Sequence, residues 1–554
     1  MTGVKFGVYV TEATQGKSGP SVVSGPMSVA TLRRRGLVVA AVLIVVVAHA
    51  GCSRGQSATI DVPDDPGVVQ TQSGALRGLV SEDHRLFAGI PYAAPPVGAL
   101  RWQPPAPAAG WRGFLDATRP GPRCIQDVSN DVDQRETSED CLTLNVWTPP
   151  PSGEKRPVMV WIHGGSFVNG SGDIYDSRRL ASRGDVVIVT INYRLGTLGF
   201  LAHPALGPAG DVGNYGLADQ QAALRWVHDN IAAFGGDPDK VTIAGESAGG
   251  MSVCDHLVAP ASAGLFSAAI IQSGPCQAQY DLSAAEGTSE QYAAEVGCGD
   301  RVAAAACLRA LPAERLQRPV LYGRIGSERL SGPVTGTKLL PVDPMNGAAR
   351  GRAAEVPVMI GTTADEYTLF TALQYIRGRA FGATDYLGLL SEAYGGANAA
   401  VVAQQYPPEA FGGSVPLAYS AAVTDGTFAC VANRLAESLS SEEPVYFSEF
   451  DDPGAPAPEP LRAAPFPVGA GHSLELRYLF DVGGAPALNP EQQRLSDEMI
   501  GFWSEFVSTG SPGSGWPSLD GPAGERMSLQ PGGNRLINDF GQVHKCPFWA
   551  GLKG

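Results

Sequence analysis

The chain is poor in charged residues, and basic residues are the minority among them. Charged residues make up 17% of the 554, and 55 acidic against 40 basic side chains give a formal net charge of −15. Such a surface repels phosphate backbones and anionic lipid headgroups, which disfavours nucleic acid and membrane surfaces as electrostatic partners. The hydrophobic fraction of 44% is nevertheless that of a globular chain, and it excludes a mostly disordered protein.

Metal-binding motifs and internal repeats are absent from the sequence. No CxxC pair and no HExxH segment occurs, so the chain lacks the ligand spacings that are typical of zinc sites. No segment of the chain is repeated elsewhere in it. The sequence therefore predicts no metal site, and no residue pattern implies an organic cofactor.

The N-terminal region lacks a hydrophobic run long enough to cross a membrane. The run Leu37–Ala48 is too short for a spanning helix, and Arg33 to Arg35 precede it. A basic segment followed by a short apolar segment is typical of an export signal. Cys52 follows small residues as in a bacterial lipoprotein cleavage site, which predicts that it becomes the lipid-bearing first residue. A plain secretory signal with an incidental cysteine is the alternative.

These observations divide the sequence into three parts. Residues 1–51 form the predicted leader, with Met27 as an alternative start, residues 52–66 a predicted tether, and residues 67–554 the predicted folded domain. The protein is then exported, and it is either a cell-envelope lipoprotein or secreted. Eight of the nine cysteines lie beyond Cys52, an even number that fits disulfide pairing in an oxidising compartment.

Alternating apolar runs and helical patterns predict an α/β fold with a mixed, mostly parallel sheet. Residues 217–235 have apolar positions at helical spacing and end in a glycine pair, which predicts a helix. We expect the Gly-rich stretch 395–413 and the Pro-rich stretch 453–467 to be surface excursions. Five continuous apolar runs are typical of strands buried on both faces: residues 158–162, 186–191, 241–244, 268–271 and 356–360.

Ser247 lies in the segment VTIAGESAGGMSV, between a predicted strand and a predicted helix. Gly245 and Gly249 flank the serine at positions where a side chain would collide across a tight turn. Such a turn presents the serine oxygen at the end of a sheet, and the first N–H groups of the helix point toward the same space. The pattern predicts a nucleophilic serine.

A nucleophilic serine needs a base and an acid that orients the base. His472 lies in a glycine-flanked loop well after Ser247, and the order nucleophile, acid, histidine is that of α/β hydrolases. The acid is then Asp365 or Glu366, which follow the strand ending at Ile360, and spacing does not decide between them. With an ordinary pKa for His472, activity should rise between about pH 6 and 7.5 as the ring loses its proton.

The other histidines of the domain are predicted to be structural. His163 precedes a glycine pair, where a loop-shaping role fits, and His203 and His544 have no acidic or glycine-rich setting. The same segment around His163, VMVWIHGGSFVNGSG, opens from a buried strand into small residues whose backbone N–H groups are uncovered. It is the expected source of donors for an oxyanion. The remaining histidines lie in a predicted hairpin or in helical patterns: His84, His228 and His256.

The chain resembles the type B carboxylesterase family, the α/β hydrolases that include the cholinesterases. The resemblance covers about residues 67–550 and rests on these segments: FAGIPYAAPPVGALRW (87–102), SEDCLTLNVWTP (138–149), WIHGGSF, INYRLGTLGF, GESAGG, IGTTADE, GAGHSLEL and CPFW (546–549). It implies an α/β-hydrolase fold with large surface excursions. It also implies a triad of Ser247 as nucleophile, His472 as base and Glu366, rather than Asp365, as acid.

The resemblance further implies which groups hold the oxyanion and which cysteines pair. The oxyanion donors are the backbone N–H groups of Gly165, Ser166 and Ala248, and Ser166 stands where many relatives have a third glycine. The implied disulfides are Cys124–Cys141, Cys298–Cys307 and Cys430–Cys546. Cys254 and Cys276 remain, and their pairing is left open. The Cys124–Cys141 loop holds sixteen residues without an aromatic side chain, whereas cholinesterases carry a tryptophan there.

The implied function is hydrolysis of small carboxylic esters through an acyl-enzyme intermediate, without a cofactor. A lipase and a hydrolase of carbamates or ester drugs would use the same triad, and sequence does not separate them. A non-catalytic adhesion relative is a further alternative, although such relatives usually lack the nucleophile. The sequence does not set the oligomeric state, and a monomer is the simplest expectation.

Overall fold

The computed structural model describes residues 65–128 and 135–552. The predicted leader, Cys52 and nearly all of the predicted tether lie outside these residues. The described chain folds around one large sheet and four small ones. In chain order, the strands are β1 (Val68–Thr71), β2 (Gly74–Arg77), β3 (Leu79–Val80), β4 (Arg85–Pro91), β5 (Phe114–Asp116), β6 (Arg123–Cys124), β7 (Thr137–Ser138), β8 (Thr143–Thr148), β9 (Arg156–Ile162), β10 (Val187–Ile191), β11 (Gly236–Glu246), β12 (Ala268–Gln272), β13 (Tyr280–Asp281), β14 (Gly323–Ile325), β15 (Glu328–Leu330), β16 (Val334–Thr335), β17 (Val358–Thr363), β18 (Val445–Phe450), β19 (Arg526–Leu529) and β20 (Arg535–Ile537).

The large sheet has eleven strands in the order β20-β19-β18-β17-β12-β11-β9-β10-β8-β4-β3. The strands from β19 to β10 in that order run parallel to their neighbours, whereas β20 at one edge and β8, β4 and β3 at the other pair antiparallel. This order confirms the predicted mostly parallel sheet.

Helices cover the sheet, and its central strands are buried. Every residue of β10 and β12 is buried, as expected for parallel strands with helices on both faces. In chain order, the helices are α1 (Arg178–Gly184), α2 (Gly196–Phe200), α3 (Tyr215–Asn230), α4 (Ala248–Val258), α5 (Leu282–Glu295), α6 (Ala304–Ala310), α7 (Pro344–Ala349), α8 (Thr368–Ile376), α9 (Tyr386–Tyr394), α10 (Gly396–Gln405), α11 (Val415–Val423), α12 (Cys430–Leu439), α13 (Leu476–Leu479), α14 (Pro490–Thr509), α15 (Phe540–Val543) and α16 (Cys546–Gly551).

The predicted helix over 217–235 corresponds to α3 and a following 3-10 turn, Ile231–Phe234. Gly235 ends this turn in a left-handed conformation with φ of 92°, which glycine adopts at little cost. The chain then enters β11, and Ser247 follows the last residue of that strand. Glu366 comes three residues after β17, so both residues lie at the carboxyl edge of the sheet, where α/β proteins bind ligands.

The Gly-rich stretch 395–413 contains helix α10, which the sequence analysis did not predict. Its glycines lie at the two ends, where Gly395 and Gly412 have φ values of 79° and 65°. The residues between them are rich in alanine, the strongest helix former, and Ala399 and Val402 are buried. The Pro-rich stretch 453–467 forms turns with one 3-10 turn, Leu461–Ala463.

A single long helix, Val415–Leu439, joins α11 to α12 through a π-helical turn at Thr424–Ala429. We call these six residues the π-turn. Among the described residues, this is the one helix long and apolar enough to cross a membrane by itself, but 78% of its apolar window is buried inside the molecule. Such burial is that of a core helix.

Four disulfides lie within the described residues: Cys124–Cys141, Cys254–Cys276, Cys298–Cys307 and Cys430–Cys546. Three of them are the pairs that the family resemblance implies. The fourth joins Cys254 of α4 to Cys276 in the loop after β12, and both cysteines are buried. It therefore attaches the helix that follows Ser247 to a neighbouring strand end.

Candidate active site

Ser247 occupies a sharp turn between β11 and α4, with φ of 57° and ψ of −119°. The turn is tight enough to require its two glycines. A Cβ on Gly249 would lie 1.9 Å from the carbonyl oxygen of Ile162, and one on Gly245 would lie 2.5 Å from the backbone of Gly249. Ser247 N–H donates to the carbonyl of Gln272 at 2.9 Å. The backbone is thus held in an unfavourable conformation that points the side chain beyond the sheet edge.

His472 and Glu366 form a close, buried pair at the same edge. Nδ1 of His472 lies 2.5 Å from Oε2 of Glu366, and their side chains are 4% and 0% exposed. Oε1 of Glu366 accepts hydrogen bonds from the Thr363 N–H and the Thr362 hydroxyl, each at 2.9 Å. Burial alone would raise the pKa of Glu366, but the charge and hydrogen bond of His472 hold that pKa below its ordinary value.

Asp365, the alternative acid, faces away from this pair. Its backbone N–H donates to the carbonyl of Ala470, and its Oδ2 accepts from the Ala470 N–H, each at 3.0 Å. The two bonds fix the loop that precedes His472. The structure therefore brings Glu366, and not Asp365, to the histidine ring.

A second carboxylate approaches His472 from the nucleophile side. Oε1 of Glu246 lies 3.0 Å from Nε2 of the histidine, although Nε2 forms no hydrogen bond of good geometry within the described residues. Glu246 also accepts from the Ser473 hydroxyl at 2.6 Å. Glu246 is the neighbour of Ser247 in the chain, but no local sequence pattern marks it as a partner of His472.

These two carboxylates change the expected titration of His472. Burial acts to lower the pKa of the ring, but Glu246 and Glu366 outweigh it and raise that pKa well above 6.5. The expected rise in activity between pH 6 and 7.5 assumed an ordinary pKa for His472, and the two carboxylates remove that condition. A ring with a raised pKa loses its proton only at higher pH.

A third carboxyl group, Glu475, lies behind the pair. Burial and the nearby charges of Glu246 and Glu366 raise the pKa of Glu475 well above its ordinary value. Its Oε1 accepts from Nε2 of Gln272 at 3.1 Å. A raised pKa favours the protonated form of the Glu475 carboxyl group.

The segment after β9 presents backbone N–H groups beside the serine. Gly165, Ser166 and Phe167 have positive φ values of 104°, 55° and 59°, so the chain turns sharply just after β9. Within the described residues, neither Gly165, Ser166 nor Ala248 donates its N–H to a protein acceptor. Ser166 has a side chain where glycine would fit more easily, yet its N–H remains available.

Two phenylalanine rings form an apolar wall against the histidine. The ring centres of Phe370, in α8, and Phe428, in the π-turn, lie 5.0 and 5.3 Å from that of His472. The two phenyl rings are themselves stacked at 6.4 Å. The wall limits the positions that the imidazole can take.

Most of the other histidines have the structural roles that the sequence predicted. His163 stacks on Tyr193 at 4.4 Å, and burial lowers its pKa to about 4. His256 bridges Ser262 and Gln220 at 2.9 Å each. The description of His544 as lacking an acidic setting is wrong, because Asp425 and Glu449 both contact its ring. These partners are distant in sequence, so no local pattern reveals them.

The sheet order, the sharp turn that carries Ser247 after β11, and the helix α4 that follows it define the class of protein as an α/β hydrolase.

Comparison with known proteins narrows the class. The sequence profile of the carboxylesterase family matches residues 65–549. Para-nitrobenzyl esterase of Bacillus subtilis (strain 168) is 35% identical over 485 residues, which are 83% of this chain and 94% of that relative. Fumonisin B1 esterase of Sphingopyxis macrogoltabida is 36% identical over 476 residues, 82% of this chain and 85% of that relative. The chain belongs to the carboxylesterase family and is a carboxylic-ester hydrolase.

Solved structures agree with this assignment. The structure of a thermophilic PNB esterase superimposes with a TM-score of 0.75 at 32% identity, covering 88% of this chain and all of the other. That of a second PNB esterase has a TM-score of 0.73 at 34% identity, covering 87% of this chain and 99% of the other. The α/β-hydrolase fold is thus shared over nearly the whole described chain.

Proposed function

We propose that the chain is an exported serine carboxylesterase in which Ser247, His472 and Glu366 act as the triad and an acyl-enzyme is the intermediate. One observation carries the proposal. His472 directs Nδ1 to the buried carboxylate of Glu366 and leaves Nε2 without a hydrogen bond of good geometry, while Ser247 occupies the strained turn at the same sheet edge. A serine and an imidazole that a buried acid orients are the groups that acyl transfer requires.

In the acylation step, Nε2 of His472 accepts the proton of the Ser247 hydroxyl as the serine oxygen attacks the ester carbonyl. Glu366 fixes the orientation of the ring and stabilises the imidazolium that forms. The backbone N–H groups of Gly165, Ser166 and Ala248 hold the negative charge on the former carbonyl oxygen. Loss of one such donor costs about 3 kcal/mol in the barrier. The tetrahedral intermediate then expels the alcohol, which takes the proton from His472.

Deacylation repeats these steps with water. His472 accepts a proton from a water molecule, the resulting nucleophile attacks the acyl carbonyl, and Ser247 leaves with the proton returned by the ring. The carboxylic acid is released and the enzyme returns to its starting state. No step needs a metal ion or an organic cofactor.

Neutral esters with an aromatic alcohol portion are the substrates that we propose. The wall formed by Phe370 and Phe428 offers aromatic surface next to His472, where offset or edge-to-face packing of an aryl group is favourable. Several relatives are named for nitrobenzyl ester cleavage. A lipase or a carbamate hydrolase remains a candidate that uses the same triad, and a panel of nitrophenyl esters with increasing acyl length separates a short-chain esterase from a lipase.

Substitution of the triad tests the mechanism. Ser247→Ala and His472→Ala should each reduce kcat for nitrophenyl acetate by several orders of magnitude, and Glu366→Gln should remove much of the same rate, because the triad acts as a unit. Asp365→Asn tests the alternative acid: because Asp365 bonds Ala470 and not His472, this variant should lose far less activity than Glu366→Gln. The proposal would be overturned if folded Ser247→Ala protein kept its activity. It would also be overturned if this variant were still labelled covalently by an acylating nitrophenyl ester.

We also propose that Cys52 is acylated after export. The basic and apolar segments before it support export, and four disulfides suit an oxidising compartment. Full-length protein expressed in a bacterial host should partition into the detergent phase of Triton X-114, and Cys52→Ser should move it to the aqueous phase. A mature N-terminus at any other residue would rule out lipidation at Cys52 and leave a secreted enzyme.

A further inference from the structure

His544 is held between two carboxylates at a distance from Ser247 in the chain. Its Nδ1 lies 2.6 Å from Oδ1 of Asp425, and its Nε2 lies 2.7 Å from Oε1 of Glu449. The side chain of His544 is 5% exposed. A neutral imidazole has one N–H and can donate to one acceptor, whereas a protonated ring donates from both nitrogens. The geometry is therefore that of a buried imidazolium shared by two acids.

The cation is stable over the whole neutral range. Burial opposes the charge, but hydrogen bonds to Asp425 and Glu449 outweigh it and raise the pKa of His544 to about 10. Asp365 faces the same cluster from the loop after β17, and Tyr406 donates from its hydroxyl to Oδ2 of Asp425 at 2.7 Å. The raised pKa favours the charged form of the His544 ring, which contacts one carboxylate through each of its two nitrogens.

Asp425 links this cluster to the ring of His472 through the π-turn. Asp425 belongs to the π-turn, and Phe428, three residues later in the same turn, packs on the His472 ring. The hydroxyl of Thr424 in the π-turn also accepts from the N–H of Tyr367, the residue after Glu366, at 3.0 Å. The position of the π-turn therefore sets where the apolar wall meets the histidine.

Glu449 links the same cluster to the carboxylate of Glu366 through strand β17. Glu449 lies in β18 opposite Thr362 of β17. The Thr362 hydroxyl donates to Oε1 of Glu366 at 2.9 Å. The strand pair that Glu449 anchors thus carries a donor that orients the triad acid.

We propose that His544 is a positioning residue for the reaction, because it connects the π-turn to β18. Through this connection, Phe428 holds the His472 ring and Thr362 holds the Glu366 carboxylate in the positions that the reaction requires. The inference rests on the proposed triad, because His544 acts only through those two residues. The disulfide Cys430–Cys546 joins the chain just after the π-turn to the chain just after His544. It keeps the cation within reach of Asp425 without itself contacting His472.

Three variants test the two links from His544 to the proposed triad: His544→Gln, Asp425→Asn and Glu449→Gln. Glutamine has one amide group and cannot bind both acids as a cation does. His544→Gln should lower kcat per titrated active site at least tenfold with KM changed less than threefold. It should also move the acid limb of the pH profile of kcat/KM to lower pH, because a loosened Glu366 stabilises the His472 imidazolium less. Asp425→Asn and Glu449→Gln each keep an acceptor oxygen and should show smaller changes in the same direction.

Arg101→Gln is the matched control. Arg101 is also a buried cation, with Nε 2.7 Å from Oε2 of Glu139 and Nη1 2.7 Å from the carbonyl of Leu311, and neither partner touches the triad or the π-turn. It should lower the melting temperature to a similar extent while leaving kcat per titrated site and the acid limb unchanged. Titration by the nitrophenol burst corrects each variant for protein that has not folded.

The outcomes separate this inference from the proposed function. If His544→Gln lowers only the melting temperature, as Arg101→Gln does, then His544 is a structural clamp and the inference is wrong. If His544→Gln does not fold, Glu449→Gln decides, since an unchanged kcat and acid limb in that variant would also overturn it. Retained activity in Ser247→Ala would instead show that the triad itself is wrongly assigned.

Discussion

Glu246 is the residue through which the pH dependence of the enzyme is best tested. Its carboxylate lies 3.0 Å from Nε2 of His472 and contributes to the raised pKa of the ring. In the proposed mechanism His472 accepts a proton only when its ring is deprotonated, so wild-type activity should fall as pH drops through this raised pKa. Glu246→Gln removes one negative charge, lowers the pKa of His472 and should move the acid limb of kcat/KM down by about 1–3 pH units.

Ser473→Ala is the control for this change, because it removes the hydroxyl that donates to Glu246 but keeps the charge. Its acid limb should stay close to that of the wild type. An acid limb that does not move in Glu246→Gln would mean that Glu366 alone sets the pKa of His472.

At the residue scale, the features that could be predicted are those that depend on a residue's neighbours in the sequence. The turn at Ser247 and the loop at His472 could be predicted because glycines mark both segments. The choice between Asp365 and Glu366 could not be made by spacing, since adjacent residues differ only in which way their side chains point. The partners of His544 lie 119 and 95 positions away. Contacts over such separations follow from the fold and leave no local pattern.

Among the elements, α4 depends on a disulfide beyond the three that the family resemblance implies. Cys254–Cys276 closes a separation of 22 residues and attaches α4 to the loop after β12. Removing it as Cys254→Ala/Cys276→Ala should lower the free energy of unfolding by about 3 kcal/mol by the chain-entropy relation. Because α4 supplies the Ala248 N–H and follows Ser247, kcat should fall as well. Denaturant unfolding and kcat per titrated site are the measurements.

Cys298→Ala/Cys307→Ala is the matched control for this pair. That disulfide spans a separation of 9 residues between the chain just after α5 and α6, away from Ser247. It should lower stability by a similar amount and leave kcat unchanged. Equal losses of kcat in both double variants would mean that α4 does not depend on its disulfide.

Elements were predictable where their own composition decides them. The runs that became β9, β10, β11, β12 and β17 are apolar because parallel central strands are buried on both faces. Helix α10 was not predicted because the glycines at both ends of the stretch 395–413 are typical of loops, whereas the alanines between them favour a helix. The π-turn was missed for a different reason. Residues in and next to this turn contact residues far away in the sequence, so no local pattern marks it. These residues are Thr424, Asp425 and Cys430, which contact Tyr367, His544 and Cys546, respectively.

At the scale of the whole molecule, the chain should favour neutral esters over choline esters. The Cys124–Cys141 loop has no aromatic residue, so the cation–π platform of the cholinesterases is missing, an attraction of about 2 kcal/mol when desolvated or roughly thirtyfold in selectivity. We expect nitrophenyl or naphthyl acetate to have a far higher kcat/KM than acetylcholine. A choline ester that matches them would show that another ring, such as Phe370 or Phe428, receives the ammonium group.

The two ends of the large sheet bear on how the enzyme behaves when it is concentrated. The outermost strands are β3, with two residues, and β20, with three, so each leaves only a few backbone groups open to a neighbouring chain. Short edges offer a poor template for strand addition between molecules, and a net charge of −15 adds repulsion. An eleven-stranded sheet is thereby protected from growing by intermolecular pairing, and the folded enzyme should resist aggregation through its sheet even at high protein concentration.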